Sequence, residues 1–290
     1  MTDDDFAPAA VSHENVMTVA DDRFAPGNVA IVTGAASGIG RATAVALAAN
    51  GLTVLATDLD EDGLADAVER ADEIGVDGSV ETHEADLTND DDIEGIVDAA
   101  AELGDVRFVA NIAGLQHIDP IDEFPVEKFD LMHQVMLRAP FLLAKHAMPH
   151  IRESGSEAAG TSGTGAIGNM ASIHGHTATE DKAAYISAKF GLRGLTQAIA
   201  AEGDGTLRAF SVSTGYVKTP LVTEQIPDTA AERGISEQEV VEDVMLGDAK
   251  VKEMMEPVEV ANLFVLGFSE HARHLDGGDL TWDGGHLYTY

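Results

Sequence analysis

The stretch VAIVTGAASGIGRATAVALAANG, from Val29 to Gly51, constrains this chain more than any other. Val29–Thr33 is a continuous apolar run, as expected of a strand buried on both faces. Glycines at 34, 38 and 40 then mark a tight turn. An alanine-rich helix follows, closed by Gly51. The same alternation continues down the chain. TVLATDL reads as a strand and Asp60–Ile74 as a helix, with Leu64, Ala67, Val68, Ala71 and Ile74 on one face. SVETHEADL is a weaker strand, DDIEGIVDAAAEL a helix and VRFVANIAG a strand. Phe129–Ile151 is a long helix, apolar on several faces. GAIGNMAS and LRAFSVS are strands on either side of a helix over Ala183–Glu202. Val258–Phe268 is helical, and DLTWDGG ends the pattern as a strand and turn.

Repeated strand–helix alternation argues an α/β fold: one doubly wound parallel sheet with helices on both faces. No break in composition divides residues 28–290, so they are read as one domain. Two segments depart from the alternation. Arg152–Gly165 is a Gly/Ser-rich surface loop. Residues 220–255 are helical but off the sheet pattern, which places them well to act as a lid over a cleft.

Charge excludes several function classes. Among 290 residues, 51 are acidic and 17 basic, a formal net charge of -34. Such a field repels nucleic acid and anionic lipid, and strains a compact fold by self-repulsion. At 1 M salt the screening length falls to about 3 Å, which relieves that strain. The acids are scattered over otherwise amphipathic helices, so the composition resembles that of proteins adapted to concentrated internal salt. No segment approaches a membrane span. Residues 1–27 lack the basic start and apolar core of a secretory leader and read as an acidic, mobile tail. Cytoplasmic location is the expectation. There are no cysteines, which removes disulfides, thiolate metal sites and cysteine nucleophiles.

The turn TGAASGIG lies between a strand and a helix. There its glycines allow close approach of a pyrophosphate and the helix N-terminus faces the anion. Asp58 ends the second strand, where a carboxylate accepts from a ribose 2′-hydroxyl and repels a 2′-phosphate; NAD is expected over NADP. Tyr185 and Lys189 are spaced i,i+4 on a helix face. An ammonium near a phenol lowers its pKa and makes it a better base. Ser172 ends a strand upstream, at the sheet edge that lines the crevice in such folds. There it is placed to donate to a carbonyl oxygen while Tyr185 transfers the proton. His117, His176 and His286 receive no role. Histidines without paired acids at ligand spacing do not make a metal site, and none is expected.

Taken in order, TGAASGIG, Asp58, ADL (Ala85–Leu87), NIAG (Asn111–Gly114), Ser172, YISAK (Tyr185–Lys189), TGYVKTP (Thr214–Pro220) and DGG (Asp283–Gly285) resemble the short-chain dehydrogenase/reductase family. The resemblance spans about Val29 to His286. It implies a Rossmann-type fold, a nicotinamide cofactor and reversible hydride transfer, with Tyr185 as acid/base, Ser172 polarising the substrate oxygen and Lys189 on the nicotinamide ribose. It places the cofactor on Gly34, Ser37, Gly38, Ile39 and Gly40, on Asp58, and on Asp86 and Leu87 at the adenine. It adds Asn111, Ala113 and Gly114, then Gly215, Val217 and Thr219, besides Tyr185 and Lys189. AGLQHIDPIDEFP, ASIHG, Lys182 and GYVKTPLVTEQI are similar to the branch of that family that oxidises 3-hydroxybutyrate. By that likeness Gln116, His174, Lys182 and Gln225 hold a small carboxylate. A cation with amide and imidazole donors is sensible chemistry for one. The family commonly forms homotetramers.

Three positions depart from the family pattern. Met136 stands where a relay asparagine is usual, Thr214 where proline precedes the nicotinamide-side glycine, and His286 where the related branch has an aromatic. The substrate expected is a small hydroxy acid or ketone, with 3-hydroxybutyrate and acetoacetate leading. Another secondary alcohol or a sugar stays open. So does a catalytically weak NAD-binding regulatory protein, on the strength of Met136.

Overall fold

In a computed structural model of the chain, which describes residues 7–154 and 165–288, β1 (Asn28–Thr33) is buried on both faces. Ala30 and Val32 face one apolar cluster, and Val29 and Ile31 face the other. Each such burial stabilises by roughly 1.5–3 kcal/mol, against ~1 kcal/mol for the whole span of strand propensities. Burial therefore sets this strand. β2 (Thr53–Asp58), β3 (Ser79–Glu84), β4 (Asp105–Asn111), β5 (Gly165–Met170), β6 (Leu207–Thr214) and β7 (Asp279–Trp282) complete the sheet. Their order is β3-β2-β1-β4-β5-β6-β7, and every pairing is parallel. β3 reads weakly because it is an edge: only Val80 of its residues is buried.

The helices are α1 (Gly38–Ala49), α2 (Glu61–Ile74), α3 (Asp90–Leu103), α4 (Val126–His133), α5 (Ala139–Ser154), α6 (Ala183–Ala201), α7 (Pro220–Thr223), α8 (Gln225–Arg233), α9 (Glu237–Glu239) and α10 (Pro257–Phe268). α1, α2 and α10 cover one face of the sheet; α3, α5 and α6 cover the other. Local chemistry sets their ends. Asp60 caps α2 by accepting from Gly63 N, and Gly75 closes it in the left-handed region. Asn89 caps α3, whose first turn holds Asp90, Asp91 and Asp92, acids that the helix dipole favours there.

The long helix expected over 129–151 is not uniform. Between α4 and α5 the chain winds through a π-helical stretch, Gln134–Arg138, with Met136 buried inside it. One widened turn leaves the apolar pattern almost unchanged, so periodicity does not register it. The expected loop Arg152–Gly165 lies mostly outside the described residues; Ser154 ends α5 and Gly165 begins β5. Residues 220–255, expected to be helical, are so only as far as Met245, through α7, α8, α9 and a π-helical stretch, Val240–Met245, while 246–255 run as turns and bends; the segment packs around its own small cluster of Ile226, Val240, Met245 and Leu246.

The reading of residues 1–27 as a mobile tail needs correction over 7–27. Asn262 on α10 accepts from Met17 N and donates to Asn15 O. Asn50, at the end of α1, accepts from Val19 N and donates to Met17 O. Two amide side chains thus bond an extended segment much as a neighbouring strand would. Val16 and Phe24 are buried beneath it. Arg23 pairs with Asp21 in a nearly dry site and donates to Phe268 O. The sequence conceals this because the partners on and after α10 lie more than 240 residues away and Asn50 more than 30.

Candidate active site

In this sheet the strand order reverses between β1 and β4, and a crevice opens at their C-terminal ends. Thr33 joins its two sides: its Oγ1 accepts from Ile112 N at 3.0 Å and Ala113 N at 3.2 Å. Close approach of backbones explains the glycines. Gly34 has φ +70°, and a Cβ there would stand 2.8 Å from Ala113 Cα. A Cβ on Gly40 would stand 1.9 Å from Gly34 O.

A cleft of about 580 Å³ runs from this turn to the end of β5. Gly34, Ser37, Gly38, Ile39 and Gly40 line its floor. Asp58, Asp86 and Leu87 line one end, Ala113 and Gly114 the middle, and Gly215, Val217 and Thr219 the opposite wall. Asp58 accepts from Ala36 N at 3.1 Å and Leu59 N at 2.8 Å. These main-chain donors hold its carboxylate at the cleft edge. Asp86 is oriented by Thr88, which donates to it through both N and Oγ1 at 2.8 Å. Among the described residues lining the cleft, Lys189 is the only cation, at the end away from Asp58. Asn111 is the exception among the expected residues. It is buried beside the cleft and donates to Asn169 Oδ1 at 2.7 Å, so its side chain serves the sheet.

Ser172, Tyr185 and Lys189 meet at the far end of the cleft. Ser172 follows β5 and caps a short 3-10 turn, Ile173–Gly175, its Oγ accepting from His174 N at 3.1 Å. Lys189 Nζ lies 5.4 Å from the Tyr185 ring centroid and donates to Met170 O at 2.6 Å. Burial pushes the Tyr185 hydroxyl up to about 12; the Ser172 hydrogen bond acts against this, and Tyr216 adds to it. Burial also pushes Lys189 down to about 8. The lowering of Tyr185 expected from Lys189 is not seen; burial raises the phenol instead. Met136 lies in an apolar cluster with Met132, Ala184 and Ala188, against which Tyr185 packs.

A smaller pocket of about 60 Å³ adjoins Ser172 and Tyr185. Gln116, His174, Lys182 and Gln225 all line it, and Gln116 Nε2 donates to Gln225 Oε1 at 3.2 Å. His174 Nε2 lies 3.1 Å from Thr179 Oγ1. Burial, then the charges of Lys182 and His286, push its pKa down to about 4, so the ring is neutral near pH 7. Burial also lowers Lys182. Lys182 begins α6 immediately after Asp181, a non-glycine residue at φ 64°. Asp181 O accepts from Asp119 N at 3.0 Å, tying this strained turn to the loop after β4.

Sequence reasoning missed Tyr216, Leu221 and Val222, which also line the small pocket. They lie within the quoted GYVKTPLVTEQI, so the signal was at hand. It also missed Thr33 and Asp181, whose roles depend on contacts that no local pattern shows. Among the described residues no helix is long and apolar enough to cross a membrane, and no group of three or more His, Asp or Glu could hold a metal ion.

Known proteins share this architecture. A family model described as enoyl-(acyl carrier protein) reductase matches residues 34–286. The D-beta-hydroxybutyrate dehydrogenase of Rhizobium meliloti is 35% identical over 261 residues, 88% of this chain and 97% of that one. The D-beta-hydroxybutyrate dehydrogenase of Cupriavidus necator is 33% identical, covering 89% of this chain and 97% of its own. The crystal structure of levodione reductase matches with a TM-score of 0.83 at 28% identity, over 92% of this chain and all of that one.

Proposed function

The chain belongs to the short-chain dehydrogenase/reductase family, and from that premise we propose that it is an NAD-dependent dehydrogenase for a small 3-hydroxy acid, with 3-hydroxybutyrate and acetoacetate as the leading pair. The small pocket beside Ser172 and Tyr185 carries this reading. Gln116, His174, Lys182 and Gln225 reach it from four segments of the chain. Together they offer one cation and several neutral donors, which suits a carboxylate. Its volume suits only a short chain. The two hydroxybutyrate dehydrogenases above support the same substrate class.

The cleft fits a dinucleotide. Its glycine turn is a cradle that a Cβ would fill, and α1 points its N-terminus into it. Asp58 and Asp86 at one end, with no cation among the described residues that line it there, favour NAD: a 2′-phosphate there would meet negative charge. A bound nicotinamide would take or give the hydride, and its oxidised ring would bring positive charge near the phenol.

In oxidation Tyr185 takes the hydroxyl proton, and Ser172 donates to the same oxygen as it becomes a carbonyl. Lys189 is placed between the Tyr185 ring and Met170 O, where it holds the cofactor ribose and supplies positive charge. Lys182, with His174 as a neutral donor, holds the carboxylate, and the amides of Gln116 and Gln225 complete the pocket. Because the phenol must ionise, oxidation is expected to quicken as pH rises and reduction to slow. Exposed Phe129, Phe141 and Phe190, on α4, α5 and α6, support a homotetramer buried across those helices.

The deciding measurement is NADH formation from D-3-hydroxybutyrate in multimolar salt, with NADP and other secondary alcohols as comparisons. Turnover on NAD with the hydroxy acid is expected. Cofactor binding without turnover on any small hydroxy acid would overturn this reading and support the regulatory one.

A further inference from the structure

His176 lines neither pocket, yet it is tied to the reaction end of the cleft. It follows directly on the Ile173–Gly175 turn that Ser172 caps and that carries His174. That turn is a single 3-10 winding with few bonds of its own, so what holds it from outside matters. There are two ties. Arg193 on α6 donates from its guanidinium to Gly175 O at 2.8 Å. His176 Nε2 stands 3.0 Å from Asp279 Oδ2 and 3.1 Å from Ser213 Oγ.

Asp279 is the hub. It sits on β7 with its side chain 11% exposed. It accepts from Ser213 Oγ at 2.9 Å, from Thr281 Oγ1 at 2.8 Å and from Ser211 Oγ. Arg193 Nε lies 4.0 Å from its Oδ1. The turn also packs hard on α6: a Cβ on Gly175 would stand 2.9 Å from Arg193 Cδ and 3.1 Å from Lys189 O. A nearly dry carboxylate with so many donors is a poor choice for stability alone, since apolar residues fill such sites as well or better. A shared hub instead gives the turn one defined position relative to β6, β7 and α6.

We propose that His176, Asp279 and Arg193 form a latch that sets where Ser172 Oγ and the His174 ring stand. They are positioning residues, acting through the turn and touching no substrate. The kinetic part rests on the proposed role of Ser172. Misplacement of a reacting group by about 1 Å lowers a rate roughly a hundredfold.

The test uses the full chain in concentrated salt, with kcat, both KM values and amide hydrogen exchange over residues 171–180. For His176→Ala we expect kcat to fall about ten- to a hundredfold with the NAD KM nearly unchanged, and faster exchange in that segment. His176→Gln keeps a donor to Asp279 and should recover most of the rate, and it carries the comparison if the alanine variant does not fold. In a Ser172→Ala background the His176→Ala substitution should add little, because the group it positions is gone. Fully additive losses, a lower melting temperature with kcat unchanged, or unaltered exchange would each overturn the latch. Absence of turnover in the wild type would instead sink the functional reading, and exchange would still judge the latch.

Discussion

The two ends of the cleft are made from different materials. The cofactor end is mostly backbone: one contiguous turn from Thr33 to Gly40, whose glycines let main chain approach main chain, with Asp58 held by main-chain amides. The substrate end is mostly side chain, drawn from segments far apart; Gln116 and Gln225 are hydrogen-bonded across 109 residues. A backbone site is rigid and general, since any dinucleotide carries the same phosphates. A side-chain site is specific and open to change. Substitutions at one end should therefore leave the other measurably intact.

The largest separation is expected from Tyr185→Phe. It removes the proposed proton carrier while keeping the ring that packs near Met136, so kcat should fall by about 10²–10⁴-fold. NADH binding, followed by fluorescence titration, should hardly move. Equal loss of binding would mean that the two ends are coupled.

Next comes His174. Its folded pKa of about 4 lies below the ordinary 6.5. Above 6.5 the ring is neutral in both states and contributes nothing to the pH dependence. As pH falls toward 4 only the unfolded chain takes up the proton, so stability is lost over that window, by about 3 kcal/mol at most. His174→Gln should lose correspondingly less stability than wild type between pH 6.5 and 4. Denaturant titrations at matched salt would check this; parallel curves would mean that the ring is wetter than its surroundings imply.

Lys182→Met sharpens the comparison from the substrate side. Losing a charged hydrogen-bond donor of roughly 1.5–3 kcal/mol should raise the hydroxy-acid KM about ten- to a hundredfold. The NAD KM should stay level. Steady-state kinetics with both substrates varied would show a misassignment as a change in the wrong KM.

Asp58→Ala is the counterpart at the cofactor end and the smallest effect. The NAD KM should rise about tenfold, on the scale of one charge-assisted hydrogen bond. The gap to NADP should narrow, and the hydroxy-acid KM should hold. An unchanged NAD/NADP ratio would remove Asp58 from cofactor selection.

Much of the fold was legible from the sequence because burial dictates it locally. β1 is covered on both faces and therefore reads as a continuous apolar run, and α2 shows both its stripe and its caps. Less of the site could be read this way. Ser172, Tyr185 and Lys189 announce themselves by spacing, but Asn111, placed at the cofactor by resemblance, turns its side chain into the sheet. His176 had no visible role because Asp279, its partner, lies 103 residues away. The tail reading failed for the same reason. The amides that hold residues 15–19 belong to α10 and the end of α1, and an acidic composition cannot reveal them.

By itself the sequence determined the alternation of strand and helix, the glycine turn and the i,i+4 pair of Tyr185 and Lys189, because each follows from steric and hydrophobic preferences acting over a few residues. Only the tertiary structure decided the rest. It brought Gln116 and Gln225 to His174 and Lys182 around one small pocket, raised Tyr185 and lowered Lys189 through burial, and laid residues 7–27 against the body. These depend on which surfaces meet when the sheet closes, and on how much water that meeting removes.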